Sequence, residues 1–281
     1  QMLSNDKSQS LWITSKDKNI YHIDFPYPWH KDFNKKSFFT DSLKKTFKKK
    51  FDFRNKIAGI FIEAFQGWGA LFYPKSYIKE LVKFAKKNKI LIIIDEIQSG
   101  FARTGKKFAF EHYSFTPDIV CCAKGMGSGV PISGVVSSKK IIDINNSFLS
   151  STHSGNPISC AAGIATLDEI KRLKLVSNTK IKGKIMFNYL NVIRKQNEDL
   201  IYGVTGKGLI AAIIFKKYKN IPAAQIATKI CKLCLKNGLL LCNTNRDSIK
   251  LGPPLIIKRR EITKAMKIIS QCIIKFKKEC N

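Results

Sequence analysis

Ile90-Leu91-Ile92-Ile93-Ile94-Asp95 and Asp118-Ile119-Val120-Cys121-Cys122-Ala123-Lys124 are the two stretches whose reading decides the fold. Short apolar runs rich in β-branched residues read as strands buried on both faces, the pattern of a parallel sheet. Each run ends in a charge. A charge there is costly unless it is paired or used. Open parallel sheets bind ligands just beyond the carboxyl ends of their strands. Asp95 and Lys124 therefore read as two halves of one site.

Outward from this pair, residues 57–63 read as a further strand ending at Glu63. Glu63 is either a wall residue of the site or an ordinary strand-end charge. Pro74 opens a helix over 75–89, with Tyr77, Leu81, Val82, Phe84 and Ala85 as its apolar face. A polar stretch over 98–117 links the two strands, and 132–136 reads as another strand. Strand, helix, strand, loop, strand marks an α/β layer. Upstream, residues 1–55 are lysine-rich and weakly patterned, with a proline-punctuated segment at Phe25-Pro26-Tyr27-Pro28-Trp29.

The texture changes after Pro157. Helical patterns run to about residue 196, and 203–215 reads as a strand pair with a glycine turn. A helix over 222–236 stops at Asn237-Gly238. Leu239-Leu240-Leu241 and 248–251 read as short strands, and an amphipathic helix covers 260–277. The expectation is α/β: a three-layer, mostly parallel sheet domain over 1–165 and a small C-terminal α+β domain over 166–281.

Composition narrows the function class. The 281 residues carry a net charge of +30, which invites a nucleic-acid reading. The basic residues are mostly lysine, spread through every segment. No stretch interleaves aromatics with arginines as a stacking groove does. Abundant Lys, Ile, Asn and Phe are what an AT-rich coding bias produces, and the run 44–50 reads as a solvated helix face. No nucleic-acid partner is expected. No apolar run approaches the ~20 residues of a membrane span, and Gln1 to Lys7 lack the apolar stretch of a signal peptide. A cytoplasmic protein with no membrane partner is the expectation. Cys121 and Cys122 should behave as small apolar residues. Cys231-Lys232-Leu233-Cys234 is the only CxxC, with no second one and no histidine nearby, so no metal is expected.

Three chemistries suit an aspartate and a lysine at neighbouring strand ends. One is a plain ion pair. A second is a nucleotide site, since Asp95-Glu96 after an apolar strand is similar to a Walker B element. That site needs a GxxxxGK[ST] loop, and Gly203-Val204-Thr205-Gly206-Lys207-Gly208 has the wrong spacing. The third is a Schiff-base site. There, a lysine in a dry pocket attacks an aldehyde and an aspartate keeps a pyridine nitrogen protonated.

The flanking residues favour the third. Asp95-Glu96-Ile97-Gln98-Ser99-Gly100-Phe101-Ala102-Arg103-Thr104-Gly105 resembles the signature of the class III aminotransferases, pyridoxal-phosphate enzymes of fold type I. The likeness continues through Pro117-Asp118-Ile119 and the run from Ala123 to Ser133. It resumes at Ser151-Thr152-His153-Ser154-Gly155-Asn156-Pro157 and ends with Ile249-Lys250-Leu251-Gly252-Pro253-Pro254-Leu255.

The resemblance implies roles at matching positions. Lys124 would form the Schiff base with pyridoxal 5'-phosphate and shuttle the proton. Asp95 would pair with the pyridinium nitrogen, Ile97 would pack on the ring, and Gln98 would reach the ring 3'-oxygen. Thr152 would donate to the phosphate across a homodimer interface, unless it only caps the following helix. Gly125 and Gly127 would let the backbone turn tightly beside the lysine. Arg103 would fix its loop, and His112 and His153 would be structural. The reaction implied is transfer of an amino group from an amine or amino acid to a 2-oxo acid. The alternatives are another pyridoxal-phosphate reaction (racemase, mutase, decarboxylase) or a remnant without catalysis.

Departures from the family's pattern are informative. The family's EPxQGE segment is here Glu63-Ala64-Phe65-Gln66-Gly67-Trp68, so Trp68 replaces a glutamate. Lys250 stands where the family often has an arginine. In several members that pair governs substrate recognition, so Trp68 and Lys250 are expected substrate-binding positions with an altered dual recognition. The family's phosphate-binding glycine loop and ring-stacking aromatic have no counterpart before Ile57. Phe25-Pro26-Tyr27-Pro28 resembles the segment that follows them. The chain thus looks like the C-terminal part of such an enzyme, with a large domain incomplete at its N-terminus. Poor cofactor binding alone and unpaired strand edges would follow.

Overall fold

The computed structural model describes residues 17–29, 31–48, 50–143 and 152–280. Strands β1 (Gly59–Glu63), β4 (Leu91–Asp95), β5 (Ile119–Cys122) and β6 (Gly134–Ser137) form one sheet in the order β1-β4-β5-β6. β1, β4 and β5 are parallel, and β6 returns antiparallel to β5. The register sets Glu63 opposite Asp95 and Asp95 opposite Cys121, so the carboxyl ends of three strands lie level. A two-stranded ribbon, β2 (Phe65–Gln66) and β3 (Leu71–Phe72), follows β1 directly.

Helices α1 (Phe38–Thr46) and α2 (Lys75–Asn88) back this sheet. α2 buries Tyr77, Ile78, Leu81 and Ala85, a 3.6-residue stripe in which each large side chain contributes roughly 1.5–3 kcal/mol by leaving water. Lys89 ends it in the left-handed conformation, φ 56°. The helix face differs from the expected one: Ile78 joins it fully buried, whereas Val82 and Phe84 are only partly buried. α1 lies in the segment read as weakly patterned, yet it sets Phe39 and Leu43 into the same core.

The second unit is an antiparallel sheet of β7 (Ile201–Lys207), β8 (Ile210–Phe215), β9 (Cys242–Asn243) and β10 (Ser248–Leu251), ordered β7-β8-β10-β9. Helices α3 (Pro157–Arg172), α4 (Leu175–Gln196), α5 (Ala223–Lys236) and α6 (Arg259–Glu279) complete it. Met186, Leu190, Ile213, Ile230, Ile269 and Phe276 are centres of its core. A small third cluster, Phe65, Ala70, Ile210 and Ala212, joins the ribbon to β8.

At one further point, Gly208 against Thr104, the units also meet backbone to backbone, and Gly183 presses on Gly208 from within the second unit. A Cβ on Gly183 of α4 would fall 2.4 Å from the Gly208 carbonyl oxygen, and one on Gly208 would fall 2.4 Å from the Thr104 carbonyl carbon. Gly208, at φ 60°, turns the β7–β8 hairpin. Only residues without a side chain allow this approach.

Several expected boundaries move for local reasons. β1 starts at Gly59 because the Ile57 N–H closes a helical turn on the Phe53 carbonyl. Leu239-Leu240-Leu241 is not a strand. Gly238, at φ 76°, ends α5, and the Leu239 N–H returns to the Cys234 carbonyl, so pairing begins only at Cys242. Among the described residues the outer edges of β1 and β6 have no strand paired to them, and Val135 and Val136 on β6 are 54% and 61% exposed. No described helix is long and apolar enough to cross a membrane.

Candidate active site

Asp95 ends β4, and its Oδ1 accepts the Ile97 N–H at 2.8 Å, which fixes the carboxylate at the strand end. The ladder continues one residue further, with the Glu96 N–H bonded to the Cys121 carbonyl. On the neighbouring strand the chain leaves β5 through extended Ala123 and enters a 3₁₀ turn, Lys124–Met126. Lys124 holds φ 46°, a region sparsely used by residues with a side chain and concentrated at functional sites. Gly127 makes this turn possible, because a Cβ there would lie 2.1 Å from the Val130 carbonyl oxygen. Gly125 is different: a Cβ there would meet Phe101 at an ordinary 3.6 Å. Only one of the two glycines expected beside the lysine is demanded by space.

A cleft of about 960 Å³ opens between the two units. Ile97, Gln98 and Lys124 line it from the first sheet, and Lys250 lines it from β10. Lys124 is exposed to it. Four of the expected site residues therefore share one cavity; Asp95, two residues before Ile97, is not among its lining residues.

Glu63 enters the same corner. Its Oε2 accepts the Gly67 N–H at 3.2 Å, and Lys250 Nζ donates to the Gly67 carbonyl at 3.1 Å. A Cβ on Gly67 would lie 3.0 Å from Gln98 Oε1 and 3.1 Å from Glu63 Oε1, so both side chains converge beside this glycine. Burial raises the Glu63 carboxyl above the ordinary range; Asp95 adds to the shift, while the Gly67 N–H, Lys250 and Lys124 oppose it. Its surface is solvent-accessible, yet it stands deep among protein atoms. The two facts agree for a carboxylate whose tip reaches solvent beside Gly67 while its neighbours surround it.

The loop after Asp95 hangs on Glu96, which sequence reading left without a role. Glu96 is fully buried and accepts Ser99 Oγ, the Ala109 N–H and the Phe110 N–H at 2.5, 3.0 and 2.7 Å. A charge at the first position after a strand, followed by glycine-rich loop, was the available signal. Arg103 donates to the carbonyls of Leu209 and Pro253, fastening this loop to the second unit. That is the fixing role expected of it. His112 bonds Thr104 Oγ1 at 3.1 Å, a structural contact.

The remaining expected residues lie elsewhere. Trp68 is absent from the cleft lining; its ring packs with Tyr27 and Trp29, and Arg246 stacks over it at 5.3 Å. Its buried Nε1 has no hydrogen-bond partner. Thr152 is exposed in the turn before α3 and does not line the cleft. It does not cap that helix either, because Asn156 does so through Ser159 N–H. Cys122 is buried and its thiol is pushed up to about 11 by burial, as for a small apolar residue. No His, Cys, Asp and Glu cluster among the described residues could hold a metal.

The arrangement suits a pyridine cofactor bearing an aldehyde. A fixed carboxylate, an exposed lysine, an apolar side chain and an amide are presented by adjacent strand ends and the loop that follows. Comparison with known proteins agrees. The model of the Aminotransferase class-III family matches residues 3–273, and the chain belongs to that family. An acetylornithine aminotransferase of Caldanaerobacter subterraneus subsp. tengcongensis is 32% identical over 220 residues, covering 78% of this chain and 54% of that protein. An alanine/serine racemase of Pyrococcus horikoshii is 34% identical over 222 residues, covering 78% of this chain and 47% of that protein. A solved transaminase from directed evolution by ancestral reconstruction has a TM-score of 0.88 at 24% identity, covering 99% of this chain and 65% of that one. That likeness speaks for the α/β fold. The chain spans about half the length of the curated relatives it matches.

Proposed function

We propose that this chain carries the lysine half of a pyridoxal-phosphate-dependent aminotransferase site, moving an amino group from an amine or amino acid to a 2-oxo acid. The observation that carries the reading is the placement of Asp95 at the end of one strand and Lys124 just past the end of its parallel neighbour, with Lys124, Ile97 and Gln98 lining one cleft. When bound, pyridoxal phosphate supplies an electron sink that makes a neighbouring C–H acidic. Lys124 holds the cofactor and moves the proton at its Nζ. Asp95, immobilised by the Ile97 N–H, keeps a proton on the pyridine nitrogen. Ile97 packs on the ring and Gln98 binds its oxygen.

Thr152 is assigned to the phosphate. Because it lies outside the cleft of its own chain, that role calls for a second copy, and the reading includes a homodimer. Lys250 is the carboxylate-recognition residue. Trp68, next to Gly67 with its ring against Tyr27 and Trp29, is assigned with Lys250 to substrate recognition. Residues 1–165 belong to the large cofactor-binding domain and 166–281 to the small domain, with the division inside α3. The protein is assigned to the cytoplasm.

The test is spectroscopic. Purified chain mixed with a large excess of pyridoxal phosphate, to offset the weak binding expected of it alone, should gain a visible absorbance band that Lys124→Ala abolishes. Persistence of the band in the variant refutes the lysine assignment, and its absence from the wild type refutes binding by this chain. The racemase relative supports a second reading, racemisation on the same residues. Chiral chromatography of excess alanine incubated without a 2-oxo acid separates the two, since only racemisation turns over without an acceptor, whereas transamination stops after one amino group per site.

A further inference from the structure

A second cavity, of about 570 Å³, lies in the second unit, a size that takes small-molecule ligands. It opens between the turn at Leu239 to Leu241, the end of β10, and the Ile262, Ala265 and Met266 side of α6. Lys250 and Glu261 are the charged side chains of its lining, and both are engaged elsewhere. Glu261 accepts the Lys258 N–H at 2.6 Å as the cap of α6, and Lys250 donates to the Gly67 carbonyl. Arg103 takes the Pro253 carbonyl and the Ile257 N–H takes that of Pro254. A polar group entering here finds these partners already used, whereas an apolar one gains cover. Leu240, continuous with this lining, is 80% exposed, apolar surface that an occupant removes from water.

The chamber adjoins the cleft, because Cys242, Lys250, Gly252 and Pro254 line both. Gly252 is exposed, and a Cβ there would meet only Ile210, at an ordinary 3.6 Å. Packing does not demand its bareness, which leaves a low saddle between the two spaces. Resting on the aminotransferase reading, we propose that this chamber takes the apolar tail of the amino donor. The donor is then a primary amine with an unbranched alkyl chain, its amino end in the cleft on the far side of Gly252. Each methylene that enters exchanges water for an apolar lining, so selection is for tail length. No covalent bond changes in this step.

The full chain, without added cofactor, is titrated with 1-alkanols from butanol to octanol and with octylamine, followed by ligand-detected NMR. The alcohols probe the chamber without an amino group. Affinity should rise with length, by up to about fourfold per methylene. Leu240→Ser changes an exposed residue and spares the core; it should weaken octanol binding severalfold. Ala265→Trp fills the chamber and should abolish the dependence on length. Octylamine should displace butanol, and Gly252→Leu, which raises the saddle, should weaken octylamine severalfold and leave butanol unchanged. Octanol binding no tighter than butanol, wild-type octanol affinity in Leu240→Ser, or equal effects of Gly252→Leu on octylamine and butanol each overturns the proposal. None of these titrations involves pyridoxal phosphate. The Lys124 absorbance test therefore fails or succeeds independently, and failure of the aminotransferase reading is told apart from failure of this one.

Discussion

Glu96→Ala should be among the most damaging single changes outside the cleft itself. Glu96 is 0% exposed and accepts three hydrogen bonds, two of them from the consecutive N–H groups of Ala109 and Phe110. Truncation strands those two backbone donors in the interior, at roughly 1–3 kcal/mol each. The Ser99 hydroxyl can rotate to another acceptor and adds less. Against this, removing a buried carboxyl relieves its desolvation, the main cause that raises its pKa. The net expectation is a loss of about 2–4 kcal/mol, a large share of the roughly 5–15 kcal/mol that holds a domain. Glu96→Gln keeps one oxygen and should lose about half as much. Urea denaturation followed by fluorescence measures both. A Glu96→Ala midpoint indistinguishable from wild type, or glutamine costing more than alanine, would refute the accounting of donors.

Four further outcomes are expected. Arg103→Met removes a charged donor from the Leu209 and Pro253 carbonyls and should cost about 2–4 kcal/mol in chemical denaturation. Gly127→Ala must displace the Val130 carbonyl, whereas Gly125→Ala meets only ordinary contact; thermal melts should show a loss of about 1–3 kcal/mol for the first and little for the second. Because the folded pKa of Glu63 is raised, its contribution is fully present below the ordinary carboxylate range and is lost as pH rises through the raised value. Melts at stepped pH should therefore show Glu63→Gln gaining on wild type as pH increases, and parallel curves would contradict the raised pKa. Trp68→Glu combined with Lys250→Arg should change the amino-acceptor preference, read from rates with alternative 2-oxo acids.

The strand ends were legible because their signal is local. A run of β-branched residues closed by one charge identifies both the strand and the position of its end, as at Asp95 and Lys124. Gln98, Ile97 and Lys250 became legible through motif likeness, and the cleft does bring them together. What escaped depends on three-dimensional partners. Glu96 earns its place from N–H groups thirteen and fourteen residues downstream, which no spacing rule announces. α1 was hidden because Phe39 and Leu43 sit among lysines, and only the packing of α2 shows which face is inward. Leu239 to Leu241 misled because strand-like composition was overruled by the helix cap before it. The convergence at Gly67 was unreadable for the same reason: it joins β1, the loop after β4 and β10, three segments far apart in sequence.

Contact between Gly183, Gly208 and Thr104 has a consequence for how this protein can change. Where side chains separate two units, a swap of one methylene shifts the gap a little, and drift in either core is felt across it. Here the spacer is peptide against peptide, with bond lengths as its ruler. At this point of the junction, core changes on either side have no side chain through which to move the rim, although the Phe65–Ile210 cluster still couples them elsewhere. A cleft keyed in this way keeps its width, and new preferences must come from the reach of the side chains projecting into it.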